Sequence, residues 1–134
     1  GQTVKAFLEA DAFPGPSLIL AYSHCIAHGY DMAQGAEQQK LAVDTGHWPL
    51  LRYDPRRVVE GESALQMDSP NPKTALAQFL RNEARFRMVE QQHPERYKQL
   101  AAAAQREVSN RYALYEQMAK VTLPVRTSKE LEQE

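Results

Sequence analysis

The sequence feature that most constrains the fold is a short apolar run, Ser17–Tyr22 (SLILAY), which follows a Pro- and Gly-rich break, FPGP. Its apolar residues are continuous rather than alternating, a pattern typical of a strand covered on both faces in a parallel sheet. Parallel strands need crossover connections, and helical patterns lie on both sides of this run. We therefore predict an α/β fold in which Ser17–Tyr22 is a buried strand.

Two helices are predicted around this strand. The first is capped by Thr3 and ends at the FPGP segment. The second runs from Asp31 to about Thr45, because Asp-Met-Ala-Gln resembles a capping box and Gly46 follows as the C-terminal cap.

Further extended segments are few. Trp48–Tyr53 is predicted as a second strand, ended by Asp54-Pro55, and Ala64–Met67 as a possible third extended piece. Two or three strands form a poor sheet by themselves, and a strand buried on both faces needs neighbours. The chain is therefore expected to be a piece of a larger α/β domain.

The second half has a helical pattern. Asn71-Pro72 predicts a capped helix start, and His93-Pro94 interrupts the pattern before a long helix that ends at Leu123-Pro124. The charged stretch from Arg81 to Arg87 is interpreted as a solvated helix face. We predict an α/β part at 1–70, a helical extension at 71–123 and a flexible tail at 124–134.

Composition excludes several function classes. The formal net charge is −1, so no basic excess supports nucleic-acid binding. The apolar stretches are far shorter than the roughly 18 residues of a membrane span. A single cysteine cannot form an internal disulfide, so we predict a cytoplasmic protein.

That cysteine, Cys25, is the main candidate for chemistry. It directly follows the predicted strand, with Ser23, His24 and His28 in the same turn. Ligands of open parallel sheets bind outside the carboxyl ends of the strands, which favours function over a buried apolar thiol. A Cys-His nucleophile, a zinc site with His24 and His28, and one ligand of an iron–sulfur cluster all remain open.

The other candidates are weaker. His47 and His93 stand at element boundaries, where histidines more often cap or face solvent. Asp44, Asp54 and Asp68 are spread along the chain and form no recognisable carboxylate pair.

Three longer blocks carry a family resemblance: PSLILAYSHCIAHGYDM, QQKLAVDTGHWPLLRYDPR and LQMDSPNPK. These blocks and their spacing resemble the C-terminal part of pyruvate:ferredoxin (or flavodoxin) oxidoreductases, over Gln2 to about Lys120. The resemblance implies that 1–70 closes a parallel-sheet domain that binds thiamine diphosphate, followed by long α-helices. It also implies that Cys25 is the fourth ligand of a [4Fe-4S] cluster whose other three cysteines lie upstream.

The resemblance further implies an activity and partners. Enzymes of this family convert pyruvate and coenzyme A to acetyl-CoA and CO2, and pass electrons through [4Fe-4S] clusters to ferredoxin or flavodoxin. The ligands of thiamine diphosphate and Mg²⁺ have no match in this sequence. We therefore expect the chain to be inactive alone, to act with the remainder of a parent enzyme, and to belong to a homodimer. A zinc- or thiol-dependent site and a non-catalytic helical interaction module are the alternatives.

Overall fold

The computed structural model describes residues 1–124, a mixed α/β arrangement that is mostly helical. The elements are α1 (Gln2–Asp11), α2 (Gly35–Asp44), β1 (Leu51–Tyr53), β2 (Leu65–Met67), α3 (Leu76–Asn82), α4 (Ala84–Gln92) and α5 (Pro94–Met118). Short 3-10 turns lie at Ile26–His28, Met32–Gln34 and Pro55–Glu60. None of the helices within residues 1–124 has both the length and the apolar character needed to span a membrane.

The sheet differs from the prediction. Both extended segments of the middle region form strands, but β1 and β2 pair antiparallel, with Arg52 opposite Gln66. No parallel pairing occurs in the described part of the chain. The Pro55–Glu60 turn lets the chain reverse, so a hairpin replaces the crossover that a parallel pair would need.

The predicted buried strand Ser17–Tyr22 is wrong for this structure. The segment is unpaired, and the side chains of Leu18 and Leu20 are 82% and 74% exposed. A strand forms only where a neighbouring strand completes its hydrogen bonds, and no described strand pairs with this segment. Its apolar residues therefore stay largely exposed, apart from Tyr22, which stacks on Trp48.

The predicted helix ends are partly confirmed. The Asp31 carboxylate accepts a hydrogen bond from the Ala33 amide (2.9 Å) and caps a 3-10 turn, so that α2 begins only at Gly35. Gly46 follows α2 with a left-handed φ of 73°. The prediction for Thr3 is wrong, because Gly1 precedes the first helical residue and the Lys5 amide already donates to the Gly1 carbonyl. Thr3 therefore lies inside the first turn of α1.

The second half contains three helices rather than two. Asn71-Pro72 does not start a helix, since Pro72 packs against Gly46 and the Lys73 amide donates to the Asp44 carbonyl (3.2 Å). These contacts tie the segment to the end of α2, and α3 begins only at Leu76. A further break at Glu83, where the backbone is extended, separates α3 from α4.

The core lies between α2, α3 and α5. Its buried apolar residues are Ala42, Leu76, Phe79, Leu80 and Val108. Tyr112 adds a buried ring from α5, and its hydroxyl donates to the Ser69 carbonyl (3.2 Å). The predicted packing role of the α5 tyrosines is therefore confirmed at Tyr112. The predicted tail lies outside the described residues, except for Pro124.

A buried cation joins α1 to the hairpin. The Arg52 guanidinium donates to both carboxylate oxygens of Asp68 (2.7 and 2.9 Å), to Gln66 (2.8 Å) and to Glu9 of α1. Hydrogen bonds from Arg52 hold the pKa of Asp68 below its ordinary value, although burial acts in the opposite direction. In contrast, α1 buries none of its own residues, so polar contacts such as this cluster attach it to the hairpin.

Candidate functional site

Cys25 lies at the start of a tight turn and is exposed. It has an extended backbone and caps the single 3-10 turn Ile26–His28, where its Sγ accepts a hydrogen bond from the Ala27 amide (3.4 Å). The His28 amide donates to the Cys25 carbonyl (3.0 Å). The turn therefore holds the thiol outward, with one backbone donor already directed at the sulfur.

The residue before Cys25 anchors the turn on α2. The ring of His24 packs on Gly35, where an added Cβ would come within 3.0 Å of Nε2. The His24 Nδ1 atom is buried and has no hydrogen-bond partner among the described residues. His24 thus packs against α2, whereas Cys25 is exposed to solvent.

The residue that ends the turn anchors it on α4. Gly29 has a left-handed φ of 72°, and an added Cβ would lie 2.5 Å from the Ala84 Cβ. The Gly29 carbonyl accepts a hydrogen bond from the Ala84 amide (2.9 Å). Only glycine combines this conformation with so close an approach.

The His28 side chain lies close to a buried carboxylate. Its Nδ1 atom is buried and lies 3.8 Å from Oε1 of Glu83, whose side chain is fully buried. This distance is too long for a hydrogen bond but short enough for an ion pair when the ring is protonated.

Glu83 is held by residues from two helices. Its Oε1 accepts a hydrogen bond from Gln38 Nε2 (2.9 Å), and its Oε2 accepts one from Arg85 Nε (2.6 Å). The Asn82 side chain in turn donates to Oε1 of the Gln38 side chain (2.8 Å). A buried carboxylate is costly unless it is paired in this way, so the network makes its burial possible.

The Glu83 charge contributes to raised pKa values at two tyrosines. Burial raises the pKa of Tyr30 above its ordinary value, and the Glu83 carboxylate and Cys25 add to the increase. Burial also raises the pKa of Tyr22, again with a contribution from Glu83. Both shifts favour the neutral phenol.

The structure does not assemble the proposed zinc ligands. His24 packs on α2, His28 faces Glu83 and Cys25 faces solvent. Within residues 1–124, no three His, Cys, Asp or Glu side chains are grouped closely enough to hold a metal ion. Any metal bound by Cys25 would need ligands from outside the described residues.

The two boundary histidines have different environments. His47 stacks on Phe79 with ring centroids 4.4 Å apart and contacts Tyr22 edge-on, so it packs rather than caps. Burial lowers the pKa of His47, with a further contribution from Arg111. His93 lies exposed between α4 and α5, in agreement with its predicted boundary position.

Glu83 is the residue that sequence reasoning missed. The interpretation of 81–87 as a solvated face is wrong at this position, because Glu83 is 0% exposed. The break between α3 and α4 turns its side chain inward, toward Gln38 and His28. The phase of the apolar stripe, with Phe79 and Phe86 on the core side, could have indicated that Glu83 lies between them.

Comparison with known proteins shows which proteins the chain is similar to. The chain is 50% identical over 120 residues to a pyruvate-flavodoxin oxidoreductase of Rhodospirillum rubrum, a match that covers 90% of this chain and 10% of the relative. It is 48% identical over 118 residues to a probable pyruvate-flavodoxin oxidoreductase of Escherichia coli (88% of this chain, 10% of the relative). A pyruvate:ferredoxin oxidoreductase of Moorella thermoacetica is 38% identical over 118 residues (88% and 10%).

These matches show which proteins the sequence resembles and what share of their length the chain covers. The chain is homologous to a segment of the pyruvate-flavodoxin oxidoreductases and spans about a tenth of the length of these relatives. No protein-family model matches the chain.

Proposed function

We propose that this chain acts as a segment of a pyruvate oxidoreductase and that Cys25 supplies one thiolate to a [4Fe-4S] cluster. The observation that carries the proposal is an exposed cysteine, held outward by a tight turn, in a chain 50% identical to a pyruvate-flavodoxin oxidoreductase. The remaining three thiolates would come from other parts of the polypeptide, because this chain contains a single cysteine.

The geometry of the turn fits cluster ligation. The Sγ atom is accessible, and the Ala27 amide donates to it, as backbone amides do to cluster sulfurs whose reduction potential they tune. Two contacts fix the turn, His24 on Gly35 and Gly29 on Ala84. A ligand fixed in this way loses little conformational freedom when it binds iron.

The activity of the complete polypeptide forms the second part of the proposal. It would oxidise pyruvate with coenzyme A to acetyl-CoA and CO2, using thiamine diphosphate and Mg²⁺ held outside this chain. When bound, the cluster supplies one-electron transfer toward ferredoxin or flavodoxin. The parent enzyme would be a cytoplasmic homodimer, and residues 1–70 would complete its thiamine-diphosphate-binding domain. The chain alone would be inactive.

The exposed apolar segment supports this assignment. Leu18 and Leu20 carry the pattern of a strand buried on both faces, yet both are solvent-exposed here. A contiguous apolar segment of this kind is typical of a surface that another part of a protein covers. The remainder of the parent enzyme is the partner we propose.

The test is substitution of Cys25 by Ser in the complete polypeptide, purified without oxygen. We expect electron paramagnetic resonance to show loss of one reduced [4Fe-4S] signal, with the loss of pyruvate-dependent electron transfer. Ser23→Ala, a change at an exposed neighbour in the same turn, serves as the control and should retain both.

Two results would contradict the proposal. Full cluster content and turnover in Cys25→Ser would leave a non-catalytic helical segment as the better description. Stoichiometric zinc, bound to this chain and lost with Cys25, would instead favour a zinc site.

A further inference from the structure

We propose that Glu83 is a positioning residue for Cys25, acting through the Cys25–Gly29 turn; this inference rests on the proposed role of Cys25 as a cluster ligand. Glu83 is the one fully buried carboxylate in the described part of the chain. It does not touch the thiol, and its effect is to fix the turn that presents the thiol.

Each oxygen of the Glu83 carboxylate accepts a hydrogen bond from a side chain of the helices. Gln38 of α2 and Arg85 of α4 donate to its two oxygens, at 2.9 and 2.6 Å. The group that approaches from the Cys25 turn is His28, whose Nδ1 lies 3.8 Å from Oε1. His28 is therefore the side chain that connects the turn to Glu83.

The backbone makes a second connection at the same place. The amide of Ala84, the residue after Glu83, donates to the Gly29 carbonyl (2.9 Å). The Gly29–Ala84 contact leaves no room for a side chain at Gly29. Side chain and backbone thus tie the end of the turn to the start of α4 at two adjacent residues.

The other end of the turn carries the thiol. The His28 amide donates to the Cys25 carbonyl, and the Ala27 amide donates to Sγ. A shift of His28 therefore moves both donors relative to the sulfur. Outer groups that orient a metal ligand typically contribute about 10- to 100-fold to metal affinity.

The first experiment compares Glu83→Gln with Glu90→Gln in the complete polypeptide. The change at Glu83 replaces one acceptor oxygen by an amide donor, so one of the groups that now donate to it loses its acceptor. Glu90 is an exposed residue of α4 and serves as the matched control. We expect iron of the Cys25-dependent cluster to be released to a chelator about tenfold faster or more in Glu83→Gln, and at the wild-type rate in Glu90→Gln.

A second experiment uses His28 and a readout that needs no cluster. His28→Asn keeps a polar nitrogen on Cγ, at the position of Nδ1, whereas His28→Leu has an apolar side chain of similar size and cannot interact with the carboxylate. Amide hydrogen exchange across 26–29 should stay protected in His28→Asn. In His28→Leu it should speed up about tenfold, while exchange in the middle of α5 stays unchanged in both.

The outcomes separate this inference from the proposed function. If Glu83→Gln releases iron at the wild-type rate, or if His28→Leu leaves exchange across the turn unchanged, Glu83 has no positioning role and Cys25 can still be a ligand. If exchange increases uniformly, including in α5, the role of Glu83 is general stability and the inference is wrong. If Cys25→Ser keeps every cluster, the proposed function fails, and the exchange experiment still reports whether Glu83 holds the turn.

Discussion

The first 22 residues and the helical body of α2–α5 both contain large apolar residues, but they differ in how deeply those residues are buried. In the body, Phe79 is fully buried and Leu76 nearly so. In the first segment, Phe7, Leu8, Leu18 and Leu20 are all more than half exposed. The difference shows that sequence pattern reports which residues are suited to burial, whereas burial itself depends on which partners are present.

The largest expected effect lies in the body. Phe79→Ala should lower the free energy of unfolding by about 3–5 kcal/mol, because it removes a fully buried ring from the packing of α2, α3 and α5. Phe7→Ala, at a ring 57% exposed, is the matched change in the first segment. Denaturant unfolding of the two variants checks this, and equal losses would contradict the contrast between the regions.

Arg52 tests how the first segment is attached. Arg52→Met keeps the aliphatic part of the side chain but removes the donors to Asp68, Gln66 and Glu9. We expect a loss of about 1.5–3 kcal/mol, the range for hydrogen bonds to charged groups.

The control for this prediction is Arg57→Met. Arg57 also pairs with a carboxylate, Glu62, but at a more exposed site, where ion pairs contribute about 0–1 kcal/mol. Proteolysis should cleave α1 faster in Arg52→Met than in Arg57→Met. Equal susceptibility would mean that the Arg52 cluster does not hold α1.

The same cluster predicts an acid dependence. Because Arg52 holds the pKa of Asp68 below its ordinary value, Asp68 contributes stability that is fully present above the unfolded pKa of about 3.9. The contribution is lost as the pH falls through the lower folded pKa. In Asp68→Asn the free energy of unfolding should be lower at about pH 7 and fall less steeply below about pH 4. An identical acid slope in wild type and variant would contradict this prediction.

The smallest effect is expected at Leu18. In this chain, Leu18→Ser should change the free energy of unfolding by less than about 0.5 kcal/mol, because the side chain is 82% exposed. In the complete polypeptide we expect a loss of several kcal/mol, as for a buried leucine. Thermal unfolding of both forms checks the prediction, and equal small effects would mean that no other part of the protein covers this segment.

Local signals predicted much of the fold. Asp31 and Gly46 follow from capping chemistry alone, and the β1 and β2 segments from their apolar residues. These features depend on near neighbours in the sequence. The strand at Ser17–Tyr22 failed because no described strand pairs with it, and the helix start at Asn71 failed because contacts with the end of α2 hold this segment.

The candidate site was predicted in part. Cys25 was identified by its position after an apolar run, and the structure adds that its thiol is exposed and receives one backbone amide. The apolar stripe places Glu83 on the core side, but its proximity to the Cys25 turn could not be predicted, since Cys25 and Glu83 are 58 positions apart in the sequence. Contacts this distant follow from packing and not from local pattern.

The most direct test of the central claim is the reactivity of the Cys25 thiol in the complete polypeptide. An exposed free thiol is alkylated readily, whereas a thiolate bound to iron is protected. With the clusters intact and oxygen excluded, we predict that mass spectrometry finds Cys25 unmodified by iodoacetamide and that it becomes modified once a chelator removes the iron. Full alkylation of Cys25 with all cluster iron retained would contradict the account.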